Sequence, residues 1–425
     1  MLWIRSLPSL ATTVLIIEAG ELDQGEDFIY IPLFAGIGNG AIGTQYDWNL
    51  TYAPQPATNN RSIAIPLGKV VGGGSCLNKM TFDLAGREDY DRWIEVGAIG
   101  WNELFPYFKK LTNFTTPAPE IAIEWDIQTD PSAHGYKGHV MRSVLRIDVF
   151  DSLNGDANGA LWNPQSLDPD TKTRSNSRTA YWNSASNRTN LHLLTGQQVT
   201  KLITKLNNKG VKVIGVEIVS SASSITPASY LPSDVDSTIL AGYEAQYKIL
   251  TRDLASNKMP IMEFIFGGGP VLAGLQHPFS RGSVAITSAD PFTSPSANPG
   301  FLTHQTDLLL LSAAAKYARK IINTPIFAPL SPVETVPGPS IQTDADFEAW
   351  VRSTIGTTFH PSGTTSMMNR QYGGVVDSNY KVYGVDNLRV VDAGTFPMIQ
   401  SAHLQVTVYA MAERASDAIK KSWRL

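Results

Sequence analysis

The chain has 425 residues, 43% hydrophobic and 17% charged, enough for a large core in two domains or in one domain with an elaborate insertion. A net charge of −4 argues against a phosphate-rich partner such as nucleic acid, and no apolar run approaches the length of a membrane span. The single cysteine, Cys76, permits no intrachain disulfide and does not identify the compartment. Sequons beginning at Asn49, Asn60, Asn113 and Asn187 suit a secreted or vacuolar protein if they lie in surface loops, with chance tripeptides as an equal alternative. Met1 to Thr13 lacks the apolar core and small-residue cleavage site of a signal peptide, so localisation stays open.

Val14-Leu15-Ile16-Ile17 is an uninterrupted, largely β-branched run that predicts a buried parallel strand. It ends at Glu18, the place where dinucleotide-binding folds grip a ribose hydroxyl; a buried strand followed by a solvated acidic turn is the plainer reading of these residues alone. In such folds a G-x-G-x-x-G loop stands roughly 20 residues upstream of the acid. Residues 1–13 contain no glycine.

Gly68 to Met80 contains Gly72-Gly73-Gly74 followed by Ser75-Cys76-Leu77-Asn78, a stretch whose backbone N–H groups can approach an anion closely. The residues after it are expected to begin a helix whose positive end faces that anion; a glycine-rich turn without a ligand is the commoner meaning of a lone triplet. Glu88 to Trp93 and Trp101 to Phe108 read as helices with aromatic anchors. Thr116 to Pro169 reads as long connections over a cleft.

Leu191 to Leu194, Val199 to Ile203 and Val211 to Val219 alternate like strands, the last two joined by the turn Asn207-Asn208-Lys209-Gly210. Ser220 to Ser233 is low in complexity. Beyond it the pattern predicts a helix over Tyr243 to Leu254, strands at Phe264 to Phe266 and Gly282 to Thr287, and helices over Asp307 to Ile322 and Asp344 to Ile355. Short strands at Gly374 to Asp377 and Leu388 to Asp392 precede a closing alanine-rich helix, Val406 to Ile419.

Two histidines stand out near the end of the chain. His360 lies in Phe359-His360-Pro361-Ser362-Gly363-Thr364 and His403 in Ser401-Ala402-His403-Leu404, both in loop-like settings where functional groups concentrate. Removing a hydride from an alcohol carbon requires the hydroxyl proton to leave as well, and histidine accepts it near neutral pH. A second hydrogen-bonding group orients the hydroxyl or steadies the developing alkoxide. Sequence spacing alone does not show that the two meet.

Together these stretches resemble the glucose-methanol-choline oxidoreductase family, in particular its aryl-alcohol oxidase and dehydrogenase branch. Gly68 to Gly86 followed by Asp89-Tyr90-Asp91-Arg92-Trp93 is similar to the family's first signature, Arg281-Gly282-Ser283-Val284 and Ser288-Ala289-Asp290-Pro291 to its substrate-domain strand and loop, and the C-terminal run to its most specific part. The resemblance implies an α/β fold, α+β overall, with a Rossmann-like FAD-binding domain and an antiparallel-sheet substrate domain, the first βα unit being absent. The implied domains are residues 1–115, 186–222 and 369–425 around FAD, 116–185 as a connecting or substrate-side segment, and 223–368 around the substrate.

By the same resemblance His360 is the catalytic base and His403 its partner. Glu18 binds the adenosine ribose; Gly73, Gly74, Ser75, Asn78 and Met80 border the pyrophosphate and isoalloxazine; Val199 reaches the adenine side. Asp392 and Ala393 contact the ribityl and phosphate region, and Leu404 and Gln405 line the pyrimidine edge. FAD is the implied cofactor, a small alcohol the substrate, oxygen or another acceptor the second partner; no metal is implied. Gly74, Leu84 and Ala85 depart from the family's serine, arginine and glycine. The absent glycine motif, and Ser220 to Ser233 where the family carries a strand and a Gly-rich segment, predict a truncated or mis-spliced enzyme or a decayed paralogue. A hydroxynitrile lyase is the remaining rival.

Overall fold

The computed structural model describes every residue except 1–12, 37–39, 125, 126, 128, 144–164, 208, 209, 221–235, 257, 258, 267–270, 424 and 425. Val14–Ile17 forms the expected parallel strand, Val14 opposite Leu191 and Ile17 opposite Leu194, but it is not buried throughout: only Val14 is buried and Leu15 is 57% exposed. Parallel pairing of segments this far apart requires a long crossover, as α/β folds have. Glu18 N–H donates to Leu194 O at 2.9 Å, and Gln197 N–H donates to Glu18 O at 3.0 Å. The chain thereby passes from the parallel pair into a long antiparallel hairpin, Gln197–Asn207 against Gly210–Ser220, whose register shifts between Val199 and Lys201 and between Ile203 and Thr204.

Two further antiparallel pairs follow, Met262–Phe266 with Val271–Leu275 and Ser283–Ala285 with Ser296–Asn298. Helix Gln305–Ile322 packs on helix Asp344–Thr354 and on strand Val271–Leu275. Thr343 and Asp346 close a reciprocal capping box at the start of the second of these helices. Among the described residues two parallel pairs, Val14–Ile17 with Leu191–Leu194 and Thr112–Thr115 with Val140–Ser143, stand beside four antiparallel ones, a mixed architecture as implied by the sequence.

In the largest hydrophobic cluster, helices Arg87–Ile94 and Trp101–Leu111 bring Tyr90, Trp93, Trp101 and Phe108 together, all essentially inaccessible to water. The C-terminal helix Leu404–Trp423 packs against Trp101–Leu111 and adds Val406, Ala410 and Met411. Ring centroids in this cluster lie 5.5 Å apart for Tyr90 and Trp93 and 5.2 Å for Trp93 and Phe396, so the two residues on either side of the active-site loops share one packed core. Tyr90 OH meets Thr407 Oγ1 at 2.9 Å inside it. Tyr90→Phe should therefore cost about 1 kcal/mol, the usual net worth of one buried hydrogen bond. Urea denaturation measures it, as a lowered midpoint at constant slope; an unchanged midpoint would show that Thr407 satisfies itself through Gln400, 3.2 Å away.

Several elements differ from expectation. Gly374 to Asp377 and Leu388 to Asp392 are not strands; only single bridges form there, Val376 with Met367 and Val382, and Lys381 with Arg389. Left-handed residues at Gly373, Tyr380 and Gly384 turn the chain every few positions and prevent a ladder from extending. Helix Ser237–Leu254 starts well before Tyr243 because Asp236 accepts the Thr238 N–H at 2.8 Å. The closing helix starts at Leu404. The turn residues Asn208 and Lys209, the Ser220 to Ser233 stretch beyond Ser220, and Met1 to Thr13 before Thr13 lie outside the described residues. Asn49, Asn60 and Asn187 are exposed, whereas Asn113 is half-buried in strand Thr112–Thr115. Among the described residues no helix is long and apolar enough to cross a membrane.

Candidate active site

The fold brings the two histidines together. Their ring centroids are 5.3 Å apart, with the rings nearly perpendicular at 86°. His360 sits between Phe359 and Pro361 on the loop that follows helix Asp344–Thr354, and Phe359 has φ +62, a left-handed conformation that a bulky residue adopts only when its surroundings impose it. His403 occupies the turn just before the C-terminal helix. Both rings are half-buried.

Their surroundings differ in charge. His403 Nδ1 lies 3.1 Å from Asp83 Oδ2, and the His403 backbone N–H donates to Asp83 Oδ1 at 3.2 Å. Glu263 Oε1, from strand Met262–Phe266, stands 4.0 Å from the same ring nitrogen. Burial opposes a charge on His403, but the Asp83 carboxylate outweighs it and Glu263 adds to the effect, raising the imidazole to about 9. Burial and then the charge on His403 push His360 down to about 4. Burial also works against ionisation of Asp83, yet His403 holds it below the usual carboxylate range. These surroundings favour a neutral imidazole on His360 and an imidazolium on His403 at neutral pH. His360 Nδ1 is 3.4 Å from Thr358 Oγ1, and among the described residues none hydrogen-bonds its Nε2.

Beside the histidines lies the glycine-rich loop. Gly73–Cys76 forms a single 3-10 turn and does not open an α-helix; the next helix starts at Arg87. The reason is local. Asn78 Oδ1 accepts the Met80 N–H at 3.1 Å, and Met80 itself has φ +62, so the chain turns away. A Cβ on Gly72 would stand 2.5 Å from Cys76 Sγ, whereas one on Gly73 or Gly74 would meet nothing within 4 Å. The loop thus packs inward through Gly72 and presents bare backbone outward at Gly73 and Gly74. Asn78 Nδ2 donates to Gln405 Oε1 at 2.7 Å, tying the loop to the first turn of the C-terminal helix, where Leu404 is buried.

The remaining predicted residues border the same region from two sides. Glu18 Oε1 accepts the Gly20 N–H at 2.9 Å, and Glu21 pairs with Val70 just before the glycine triplet. Burial outweighs the Gly20 and Ala19 N–H groups and raises the Glu18 carboxyl. Val199 follows on the hairpin and is largely exposed. On the other side Asp392 accepts the Gly394 N–H at 2.8 Å and caps the turn Ala393–Thr395. Ala393 O accepts the Gly363 N–H at 3.1 Å, joining this turn to the His360 loop.

Three residues to which the sequence reading gave no role make contacts around these loops. Asp83 is one. Arg174, 2% exposed, donates to Ile29 O, Ser75 O, Asn78 O and Asn78 Oδ1 at 2.6 to 3.2 Å, so a segment expected to be connecting or substrate-side lies against the glycine-rich loop. Burial lowers that guanidinium to about 10. Asp89 is the third: it binds Arg92 and Ser401 and lies 3.1 Å from His277 Nε2. Apart from the Asp89–Arg92 pair, three residues apart on one helix, no short-range pattern marks these partners, because the contacts join residues far apart in the chain.

The site also fits the dinucleotide implied by the sequence. Backbone without a Cβ at Gly73 and Gly74 leaves room for a flat ring or a phosphate to approach, and Gly394 cannot become alanine without placing a Cβ 2.6 Å from Thr365 Oγ1. Thr365 Oγ1 is itself buried and has no hydrogen-bond partner among the described residues, a donor with capacity to spare at the His360 loop.

Comparison with known proteins agrees. The family profiles described as GMC oxidoreductase match residues 33–242 with the N-terminal part and 278–412 with the C-terminal part. The GMC oxidoreductase family protein Mala s 12 of Malassezia sympodialis is 29% identical over 545 residues, covering 96% of this chain and 88% of that protein. That alignment is longer than the 425 residues here, so it opens gaps within the chain. An FAD-dependent oxidoreductase from Chaetomium thermophilum superposes with a TM-score of 0.89 at 26% identity, covering 100% of this chain and 97% of that one. A fungal aryl-alcohol oxidase superposes at 0.83 and 22% identity over 100% and 97%, a likeness of fold. The chain belongs to the GMC oxidoreductase family, whose cofactor is FAD.

Proposed function

We propose that this protein oxidises the CH–OH group of a small alcohol to a carbonyl, with His360 as the base and His403 as its partner. The observation that carries the reading is the perpendicular histidine pair, 5.3 Å between ring centroids, with the Asp83 carboxylate 3.1 Å from the His403 ring. His360 accepts the hydroxyl proton. His403 donates a hydrogen bond to the alcohol oxygen and steadies its developing negative charge. Bound FAD supplies the hydride acceptor. Glu18, the Gly73 to Asn78 loop, Met80, Val199, Asp392, Ala393, Leu404 and Gln405 would hold it, with Asn78 and Gln405 as one hydrogen-bonded unit. Oxygen or another acceptor then takes the electrons.

The test is anaerobic mixing of the purified, FAD-titrated protein with a panel of primary and secondary alcohols. Bleaching of the flavin absorbance with one carbonyl formed per flavin supports the reading. Stoichiometric FAD binding without bleaching by any alcohol, or cyanide release from a cyanohydrin, would overturn it. Absence of FAD binding would favour the decayed-paralogue alternative.

A further inference from the structure

We propose that Asp83 is a positioning residue for this reaction: by binding both the ring Nδ1–H and the backbone N–H of His403, it keeps His403 doubly protonated beside the substrate and leaves His360 as the only base. The inference rests on the alcohol-oxidation reading above. Asp83 is 6% exposed, and its two oxygens engage one residue, Oδ2 the ring at 3.1 Å and Oδ1 the backbone at 3.2 Å. A carboxylate held this way fixes the orientation of the ring as well as its charge. The groups facing His403 are Asp83 from the stretch after the glycine-rich loop, Glu263 from strand Met262–Phe266, His360 from its own loop, and Lys79, whose charge works against protonation. Glu263 is farther away at 4.0 Å and its other oxygen accepts from Gln276 at 2.7 Å, so Asp83 is the stronger partner.

The chemistry follows from that arrangement. The alcohol O–H bond would break as an N–H bond forms on His360, and FAD, when bound, would supply the two-electron acceptor for the hydride released from the C–H bond, so that the C–O single bond becomes a carbonyl. His403 keeps both protons throughout. A neutral His403 would be a second, competing base and a weaker donor to the alkoxide.

The experiment is a titration of the imidazole 15N signals in the full chain as purified, with wild type, D83N and E263Q. His403 should stay doubly protonated to about pH 9 in wild type, fall toward the ordinary 6.5 in D83N, and move less in E263Q. With FAD bound, flavin reduction by alcohol in D83N should lose about 10²-fold at pH 8, a typical cost of removing one oxyanion donor, and recover below pH 6.5. A purely structural Asp83 would lower thermal stability and leave the His403 titration unmoved, which would overturn the proposal. A wild-type His403 titrating near 6.5 would overturn it equally, even if D83N failed to fold. The titration does not depend on turnover, so failure of the alcohol-oxidation reading shows itself separately, in the bleaching assay.

Discussion

Flavin-loaded protein carrying His360→Ala will be reduced by alcohol about 10² to 10⁴ times more slowly than wild type, the span expected for loss of a general base. Its flavin content should not change, because the side chains that border the glycine-rich loop do not include His360. The loss should be deep because nothing nearby can substitute. His403 already carries its proton, and Asp83 and Glu263 are both turned toward His403. Water is the only replacement base. Stopped-flow reduction under anaerobic conditions measures the effect, and wild-type kinetics in the variant would remove His360 from its role. The acid limb of the wild-type profile should lie near pH 4, where His360 gains a proton and ceases to be a base. The sign for stability is the same: a folded value below the ordinary 6.5 means that the contribution of neutral His360 is complete above 6.5 and is lost as pH falls toward 4.

Asp89→Ala will destabilise the fold by about 3 to 5 kcal/mol, the cost of leaving a buried charge without its partner. Asp89 is 3% exposed at the start of helix Arg87–Ile94. Its carboxylate pairs with Arg92, which also binds Asp253, and lies 3.1 Å from His277 Nε2. Alanine strands Arg92 on one side and deprives His277 of its neighbour. It also releases Ser401, whose backbone N–H donates to Asp89 Oδ2 at 3.1 Å and whose hydroxyl binds the same oxygen. Ser401 stands two residues before His403, so the same change loosens the turn that presents the partner imidazole. Denaturant unfolding of wild type and variant gives the difference; a loss below 1 kcal/mol would mean that Asp253 alone compensates Arg92. Asp89→Asn, which keeps the shape and one acceptor, should lose less.

Secondary structure followed the sequence wherever a segment carried its own periodicity or cap. Val14–Ile17 is strand because an apolar β-branched run suits a parallel ladder, and Gln305–Ile322 and Asp344–Thr354 are helices with amphipathic patterning. Expectation failed where short runs depended on partners. Gly374 to Asp377 has β-branched residues but meets a turn on either side, and Val271–Leu275 carries too weak a pattern to be read without its neighbour Met262–Phe266. The glycine triplet was legible as a place of close backbone approach, while its continuation into a helix was not decided by composition. Asn78 binding the Met80 N–H settled it.

The sequence by itself determined that His360 and His403 sit on loops beside proline and small residues, that Gly73 and Gly74 expose backbone, and that Glu18 ends a strand. These are local matters, set by backbone sterics, turn chemistry and side-chain period. Only the tertiary structure decided that the two imidazoles stand 5.3 Å apart, that Asp83 charges one of them, and that Arg174 and Asp89 lock the loops carrying the rest. Each of those contacts joins groups distant along the chain. Their strength comes from burial, which makes an unpaired charge costly and a paired one directional, and burial is a property of the packed molecule.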